Sequence, residues 1–564
     1  MLMYAIRVFE IPSLRILVTL CSLCLLVLPG VRANAASSVA AGPKLVVLVA
    51  VDQLRKDRVT AALPGGLGRL LRDGRNFVDS DLDHGVTNTC PGHAVMLTGV
   101  QPGRAGIAGN NFIDRDSWST RYCVDDANND YQVLGGQDNR SPGMLQVDTL
   151  GDWLKASYPG ARVFSVAGKD RAAIMLGGQR PDGAYWYNAN NIGFTTSRYY
   201  ETALPEYLQG FAGPFDFRSD LPALWQHPAG SYRPDDFEGE ATDNLRVSGH
   251  PLNSGEAADI GKQIYASPFV DTATLQIARL LVEQEQLGQD KIPDLLAISL
   301  SANDTVGHLY GPFSAEAEDT LQNIDQQLAK FMDFLDGHLG VNNYVMVLTA
   351  DHGVADLPEW RSRGGASQCP AEGGRPALMS TLAGLFWQVY WRQTGPFDMP
   401  GELVKFSGEQ VYINREYVAA NNLDFAEVAT LLEGMLESVD VVRHVWSRAE
   451  LAASTTEEAR LLRNSLVPER SGDLILQLWP DCVVRTDGTG TSHGSLYGYD
   501  RDIPLVFYGA GVMPGQVGGA AHSVDIAPTL ANLLGLQMPA GLDGQILPLG
   551  SGSAAEDVVE AYHQ

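Results

Sequence analysis

Residues 44–52 read KLVVLVAVD, a nearly continuous apolar run that ends at an aspartate. Such a run, rich in β-branched side chains, is typical of a parallel strand that is covered on both faces. Asp52 then stands at the carboxyl end of the strand, where open α/β sheets place their ligands. An aspartate after a strand is also a common helix cap, so this residue alone leaves both roles open.

Further buried strands are predicted along the chain, at 162–167, 294–300, 344–350, 473–478 and 503–508. Amphipathic helices are predicted at 272–285 and 316–335, between successive strands. Strand, helix and strand at this spacing predict right-handed parallel crossovers. The sequence therefore predicts an α/β fold with a doubly wound, mostly parallel central sheet and helices on both faces.

Two stretches interrupt this alternation of strands and helices. Residues 177–270 mix tyrosine and tryptophan with glycine, proline and asparagine, and residues 354–469 are glycine-rich before they become helical. We predict that both stretches are loop-rich insertions in a single catalytic domain spanning residues 36–564.

The N-terminus has the layout of a secretory signal. Arg7 and Arg15 precede an apolar run at 16–28, and the small-residue site Ala33-Asn34-Ala35 follows. We predict a signal peptide over residues 1–35 and a periplasmic or extracellular product without stable membrane association. An uncleaved anchor is the alternative, although the apolar run is short for a membrane span.

Cleavage would leave four cysteines, an even number that suits an oxidising compartment: Cys90, Cys123, Cys369 and Cys482. Three pairings are possible from the sequence. We favour Cys90 with Cys123 and Cys369 with Cys482. The first pair would remove Cys90 as a nucleophile and would brace the turn around it.

The full chain carries a formal net charge of −27. So acidic a chain argues against nucleic acid or an anionic membrane as its main partner. A small anionic substrate remains compatible with it, because local cations govern the field inside a cleft. The sequence does not indicate an oligomeric state.

The stretch 87–110, TNTCPGHAVMLTGVQPGRAGIAGN, suggests a hydroxyl nucleophile. Thr89 stands just before Pro91 and Gly92, which suit a sharp helix start. A helix beginning there would point free backbone N–H groups at an anion bound beside Thr89. The alternative is an ordinary threonine N-cap. We interpret His93, in the same turn, as a structural histidine.

Polar residues that follow the predicted strands and turns form a candidate metal site. They are three carboxylates, three imidazoles and one hydroxyl: Asp52, Thr89, Asp304, His308, Asp351, His352 and His493. Mixed nitrogen and oxygen donors are typical of zinc, and seven candidates fit two ions better than one. Two such ions stabilise the entering and leaving oxygens of a phosphoryl displacement. Asn110, Lys169 and Arg171 could hold the remaining phosphate oxygens.

Together, these motifs resemble those of the alkaline phosphatase superfamily, and more narrowly the threonine-nucleophile, two-zinc alkaline phosphatases of the PafA/PhoK type. The matching motifs are VDQLRKD, TNTCPGH, GIAGN, GKDR, ANDTVGH, TADHG, RSGDL, GTSHG and SVDIAPTLANLLG. The resemblance implies hydrolysis of phosphate monoesters, yielding an alcohol and inorganic phosphate through a phosphothreonine intermediate at Thr89 and two Zn²⁺.

The resemblance also implies individual roles. One zinc would be bound by Asp304, His308 and His493, and the other by Asp52, Asp351, His352 and the Thr89 oxygen. Asn110 would contact a phosphate oxygen of any ester. Lys169 and Arg171 would bind the extra anionic oxygen of a monoester, and related phosphodiesterases lack this pair. An additional Ca²⁺ in the acidic loops is a further expectation.

Two other functions stay open at this point. One is a nucleotide pyrophosphatase or phosphodiesterase on the same scaffold, and the other is a catalytically inactive secreted binding protein. A sulfatase is not expected, because Pro91 directly follows Cys90 and the motif Cys-x-Pro-x-Arg is absent.

Overall fold

The structure, a computed structural model, describes residues 42–209, 221–226, 237–241, 249–252, 255–375, 400–485 and 488–550. The predicted signal peptide at 1–35 and parts of both predicted insertions lie outside these residues. Within the described residues, no helix combines the length and the apolar character that crossing a membrane requires.

Strands are numbered here in chain order over the described residues. They are β1 (Leu45–Val51), β2 (Arg75–Asp81), β3 (Asn111–Asp114), β4 (Ser119–Tyr122), β5 (Val163–Ala167), β6 (Gly183–Asn188), β7 (Gly193–Thr195), β8 (Leu224–Trp225), β9 (His250–Pro251), β10 (Asp294–Leu300), β11 (Tyr344–Thr349), β12 (Val404–Ser407), β13 (Gln410–Ile413), β14 (Val442–Ser447), β15 (Leu474–Leu478), β16 (Val506–Gly509) and β17 (Gly515–His522).

Nine strands form one sheet in the spatial order β17-β2-β16-β11-β1-β10-β5-β6-β7. Its five neighbouring strands β6, β5, β10, β1 and β11 run parallel. Strand β16 pairs antiparallel with β11 and β2, and β7 pairs antiparallel with β6. The prediction of a mostly parallel central sheet is confirmed.

Helices connect and cover these strands. The α-helices of the described residues are Gly66–Asp73, Thr89–Thr98, Pro102–Ala105, Leu150–Ser157, Asp170–Gly177, Ala257–Tyr265, Phe269–Gln284, Ala302–Tyr310, Ala315–His338, Pro358–Arg363, Pro400–Leu403, Arg415–Ala420, Phe425–Glu437, Arg448–Ala453, Glu457–Ser465, Gly498–Arg501 and Ile526–Leu533.

Alternate side chains of β1 enter two separate hydrophobic cores, and all of them are fully buried. The odd-numbered positions pack with helices Phe269–Gln284 and Ala315–His338 on one face of the sheet. The even-numbered positions pack with helices Thr89–Thr98 and Ile526–Leu533 on the other face. A strand covered on both faces needs apolar residues at every position, which explains the uninterrupted run in the sequence.

The stretches expected to be loop-rich contain regular structure. Strand β6, in the first stretch, extends the main sheet beside β5, and β8 pairs with β9. In the second stretch, β12, β13 and β14 combine with β15 into an antiparallel sheet of order β12-β13-β15-β14, which has its own core. We had expected residues 473–478 in the main sheet. Their apolar run suits either sheet, so the sequence alone did not separate the two.

Both favoured disulfides are present, Cys90 with Cys123 and Cys369 with Cys482. The first joins the opening turn of helix Thr89–Thr98 to the residue that follows β4. The second joins the segment after helix Pro358–Arg363 to the segment after β15.

The structure predicts that Asp325 is a main stabiliser of the helix-on-helix packing over the sheet. Its buried carboxylate accepts hydrogen bonds from the backbone N–H groups of Gly65, at 2.6 Å, and Leu67, at 2.8 Å. We expect Asp325→Ala to lower the free energy of unfolding by about 2 kcal/mol, because it leaves buried donors unpaired. Urea unfolding followed by tryptophan fluorescence measures this loss.

The matched control is Asp333→Ala, an exposed aspartate on the same helix that pairs with Arg69 at the surface. We expect this variant to unfold like the parent protein. Equal unfolding midpoints for both variants would show that the Asp325 hydrogen bonds contribute no more to stability than the surface ion pair of Asp333.

Candidate active site

Four neighbouring parallel strands bring their following residues to one edge of the sheet. Asp52 follows β1, Asp351 follows β11, and Lys169 lies two residues beyond β5. Asp304 lies in the first turn of helix Ala302–Tyr310, just after β10. All three carboxylates are buried, and Asp52 precedes a turn rather than capping a helix, because the next short helix is capped by Arg55.

Lys169 lies between two of these carboxylates. Its Nζ is 2.5 Å from Asp52 Oδ2 and 2.6 Å from Asp304 Oδ2. Burial lowers the pKa of Lys169, but the two carboxylates outweigh burial and raise it above its ordinary value. Burial, together with repulsion from Asp304 and Asp351, raises the pKa of Asp52. One ammonium therefore does not balance three buried carboxylates, and the site suits additional cations.

The three predicted histidine ligands are all oriented by backbone carbonyl groups. The Nδ1 atom of His308 is 2.8 Å from the Thr491 carbonyl oxygen, and that of His493 is 2.7 Å from the Thr87 oxygen. His352 Nδ1 lies 3.0 Å from the Gly353 oxygen. Donation from Nδ1 leaves each Nε2 with a free lone pair directed into the site, which is how metal-binding histidines are held.

The first predicted set of zinc ligands is close-packed. Ligand atoms of Asp304, His308 and His493 all lie within 4.8 Å of one another. Asp304 Oδ1 is 3.3 Å from His308 Nε2 and 3.6 Å from His493 Nε2. Burial lowers the pKa of His493, so this imidazole is available as a neutral ligand.

The second group of close ligand atoms comprises Asp52, Asp304 and His352. Asp52 Oδ1 and His352 Nε2 are 3.6 Å apart, and neither makes a hydrogen bond to any described residue. Buried polar atoms without partners are costly, and a cation between them would satisfy both. The residues present therefore fit a metal ion here.

Asp351 is not part of this group of close ligand atoms, although the sequence predicts it as a ligand of the second zinc. Its Oδ1 accepts hydrogen bonds from the backbone N–H groups of Gln53 and His352, both at 3.0 Å. Its Oδ2 lies 3.3 Å from His352 Nε2 and 3.1 Å from His93 Nδ1, and it faces the same imidazole as Asp52 does.

Gln53 links the two groups, and sequence reasoning missed it. Its Nε2 donates to Asp304 Oδ1 at 3.0 Å, while its backbone N–H donates to Asp351. The residue has a φ of 66°, in the left-handed region that non-glycine residues rarely adopt. No property of glutamine in a sequence signals such a conformation, although strain of this kind is common beside functional sites.

Thr89 is the first residue of helix Thr89–Thr98, and Asn88 is its N-cap. The alternative of an ordinary threonine cap is therefore wrong. The whole helix is buried. A β-carbon on Gly92 would lie 2.1 Å from the Asp351 carbonyl oxygen, so only glycine lets the helix approach this strand end.

Two further predicted residues adjoin Thr89. Asn110 Oδ1 accepts the Cys90 backbone N–H at 2.8 Å, which leaves the Asn110 amide free to donate. Arg171 Nη2 is 3.3 Å from Thr89 Oγ1. Lys169 is the N-cap of helix Asp170–Gly177, and Arg171 lies in the first turn of this helix.

Arg171 is held by a network that the sequence did not reveal. Its Nη1 is 3.3 Å from the Tyr122 hydroxyl, and this hydroxyl donates to Asp170 Oδ1 at 2.6 Å. Arg140 Nε binds the other oxygen of Asp170 at 2.9 Å. His93 likewise adjoins the site, because its Nδ1 lies 3.1 Å from Asp351 Oδ2 and 2.9 Å from the Thr89 carbonyl oxygen.

A mostly parallel α/β sheet gathers carboxylates, imidazoles and a buried threonine at one edge, an arrangement that suits metal-dependent hydrolysis of phosphate esters. A family model described as type I phosphodiesterase / nucleotide pyrophosphatase matches residues 46–500. The chain belongs to this family.

Relatives resemble the chain over nearly its whole length. Alkaline phosphatase PhoK from Sphingomonas sp. is 34% identical over 557 residues, which cover 92% of this chain and 93% of that protein. A protein named calcium-transporting ATPase from Myroides odoratus is 33% identical over 527 residues, 88% of this chain and 93% of its own. The crystal structure of wild type alkaline phosphatase PafA has a TM-score of 0.81 at 29% identity, covering 90% of this chain and 99% of that chain. The resemblance inferred from the motifs is confirmed.

The bridging position of Gln53 predicts a role in metal retention. We expect Gln53→Met, which keeps the length of the side chain but removes its donor, to weaken zinc binding about tenfold or more. Competition with a chromophoric chelator measures the affinity without reference to activity. Gln322→Met, at an exposed helical position, is the control. Equal zinc affinity in both variants would contradict a bridging role.

Proposed function

We infer that the chain is an alkaline phosphatase, a phosphomonoester hydrolase, and we propose that it works through a phosphothreonine formed at Thr89. The observation that carries the proposal is the buried Thr89 hydroxyl 3.3 Å from Arg171, at the edge where the candidate metal ligands gather. The similarity to named alkaline phosphatases over most of the chain supports it.

The proposed chemistry has two displacements. The Thr89 oxygen forms a bond to phosphorus while the bond between phosphorus and the alcohol oxygen breaks, and the alcohol leaves with a proton. Water then displaces the Thr89 oxygen and inorganic phosphate leaves. Two Zn²⁺, held by the seven predicted ligands, would lower the pKa of the Thr89 hydroxyl and of water and would stabilise negative charge on the reacting oxygens.

The chain's own donors would hold the phosphoryl group. The Asn110 amide and the Arg171 guanidinium adjoin Thr89, and the start of helix Thr89–Thr98 adds backbone N–H groups. A phosphate monoester carries one more anionic oxygen than a diester. We propose that Arg171 and Lys169 bind this oxygen, and hence that monoesters are the substrates.

We further propose that the enzyme acts on small phosphate esters in the periplasm or outside the cell, as a single domain after removal of residues 1–35. The two disulfides support an oxidising compartment. Zinc is proposed from the mixed nitrogen and oxygen donors. The additional Ca²⁺ gains no support from the two close ligand groups found among the described residues.

The first test compares p-nitrophenyl phosphate with bis-p-nitrophenyl phosphate for zinc-loaded enzyme at about pH 9, where zinc-assisted ionisation is favoured. We expect a strong preference for the monoester, and we expect Thr89→Ala to lower its kcat/KM by about 10³-fold or more. Thr120→Ala, on the exposed part of β4, is the control.

A preference for the diester would instead favour the phosphodiesterase function on the same scaffold. Absence of activity toward both esters in zinc-loaded enzyme would favour the binding-protein function. Full activity of Thr89→Ala would refute the nucleophile assignment while leaving the hydrolase function intact.

A second test separates the role of Arg171 from that of the metals. We expect Arg171→Ala to lower kcat/KM for the monoester about 10- to 100-fold more than for the diester, the effect of one lost charge-assisted contact. Arg180→Ala, at a largely exposed arginine, is the matched control. Equal losses on both esters would show that Arg171 does not distinguish them. The zinc content of each variant is measured alongside.

A further inference from the structure

A cavity of about 250 Å³ opens beside the site. One wall contains Asn110 and His493, which belong to the site already described. Another part of the wall is formed by β15 and by the turn between β12 and β13, both in the four-stranded sheet. The cavity therefore adjoins the phosphate site through Asn110 and His493.

The charged residues of the cavity wall are acidic. Glu409 lies in the turn between β12 and β13, and Asp500 lies in helix Gly498–Arg501. Among the described residues that line the cavity there is no lysine or arginine. Trp479 and Val483 contribute apolar surface, and Gln477 contributes an amide.

Glu409 faces the end of the cavity nearest to His493. Its Oε2 lies 3.5 Å from the point where a β-carbon on Gly494 would stand, and Asn88 Oδ1 lies at the same distance from that point. Gly494 directly follows His493, and Asn88 directly precedes Thr89. Since Gly494 has no side chain, the space between the site and Glu409 stays open.

The Glu409 carboxylate is charged under alkaline conditions. Burial raises its pKa to about 7, and a hydrogen bond from its own backbone N–H opposes this shift. Burial likewise raises the pKa of Asp500 to about 7, although Ser495 donates hydrogen bonds to it, and Glu409 adds repulsion. Above neutral pH the cavity therefore presents negative charge to whatever enters it.

We propose that this cavity receives the alcohol part of the substrate, and that Glu409 selects phosphate monoesters whose alcohol is cationic or rich in hydroxyl groups over those whose alcohol carries a second anion. The proposal rests on the monoesterase function argued above. An ammonium group or a hydroxyl group gains a charge-assisted contact with the Glu409 carboxylate. A carboxylate or a second phosphate would meet two acids with no lining cation to offset the repulsion.

The test uses four monoesters with the same reacting group. Phosphocholine has a permanently cationic alcohol, glycerol 2-phosphate a neutral polyol, and phosphoglycolate an anionic alcohol, while methyl phosphate is the reference for each enzyme. We expect the parent enzyme to prefer phosphocholine to phosphoglycolate. In Glu409→Gln this ratio of kcat/KM values should fall about tenfold or more, because the variant loses the Coulomb attraction to the cationic alcohol and the repulsion of the anionic one.

Two further variants provide a control and a reversal of the charge. Glu416→Gln removes the same charge from an exposed helix of the same insertion and should leave the ratio unchanged. Glu409→Lys should shift the preference toward phosphoglycolate. Zinc content and thermal unfolding show whether each variant is intact. If either Glu409→Gln or Glu409→Lys folds poorly, the other still tests the role of Glu409.

The outcomes distinguish the inference from the function on which it rests. Hydrolysis of methyl phosphate with an unchanged ratio in Glu409→Gln or Glu409→Lys would overturn the role of Glu409 and leave the monoesterase function standing. Failure of the zinc-loaded parent enzyme to hydrolyse methyl phosphate would overturn both. A lower ratio in Glu409→Gln but not in Glu416→Gln supports the proposal.

Discussion

The burial of three neighbouring carboxylates is the constraint on which the rest of the site depends. Asp52, Asp304 and Asp351 are buried at the ends of adjacent strands, where water cannot screen them. Lys169 lies between the carboxylates of Asp52 and Asp304. Gln53 donates one hydrogen bond to Asp304 and one to Asp351. These contacts still leave Asp52 Oδ1 and His352 Nε2, 3.6 Å apart, without hydrogen bonds to any described residue, an arrangement that a bound cation would complete.

Parallel strand pairing is what keeps these charges together. Because β1 pairs with both β10 and β11, the carboxylates that follow the three strands have no freedom to separate. The two hydrophobic cores on either face of β1 stabilise the fold and offset the free energy cost of burying these charges. Hydrogen bonds hold distant segments at the same edge of the sheet. His493, for example, contacts the carbonyl oxygen of Thr87.

The sequence predicted the features that follow from local rules. Strand ends can be located from apolar runs, so Asp52, Asp304 and Asp351 were found together with their neighbours. Gln53 was missed because its role depends on a rare backbone conformation, and Tyr122 because it meets Asp170 from a separate hairpin. Likewise, the strand at 474–478 carries no residue pattern that tells one sheet from another.

The proposed preference for monoesters depends on how the cation beside Thr89 is held. The family is described by its phosphodiesterases, yet this chain places Arg171 against the candidate nucleophile. A half-buried guanidinium needs partners, and Tyr122, Asp170 and Arg140 provide a connected network of hydrogen bonds for it. None of these partners belongs to the candidate metal ligands. Substrate charge can therefore be selected without altering the groups that support the displacement itself.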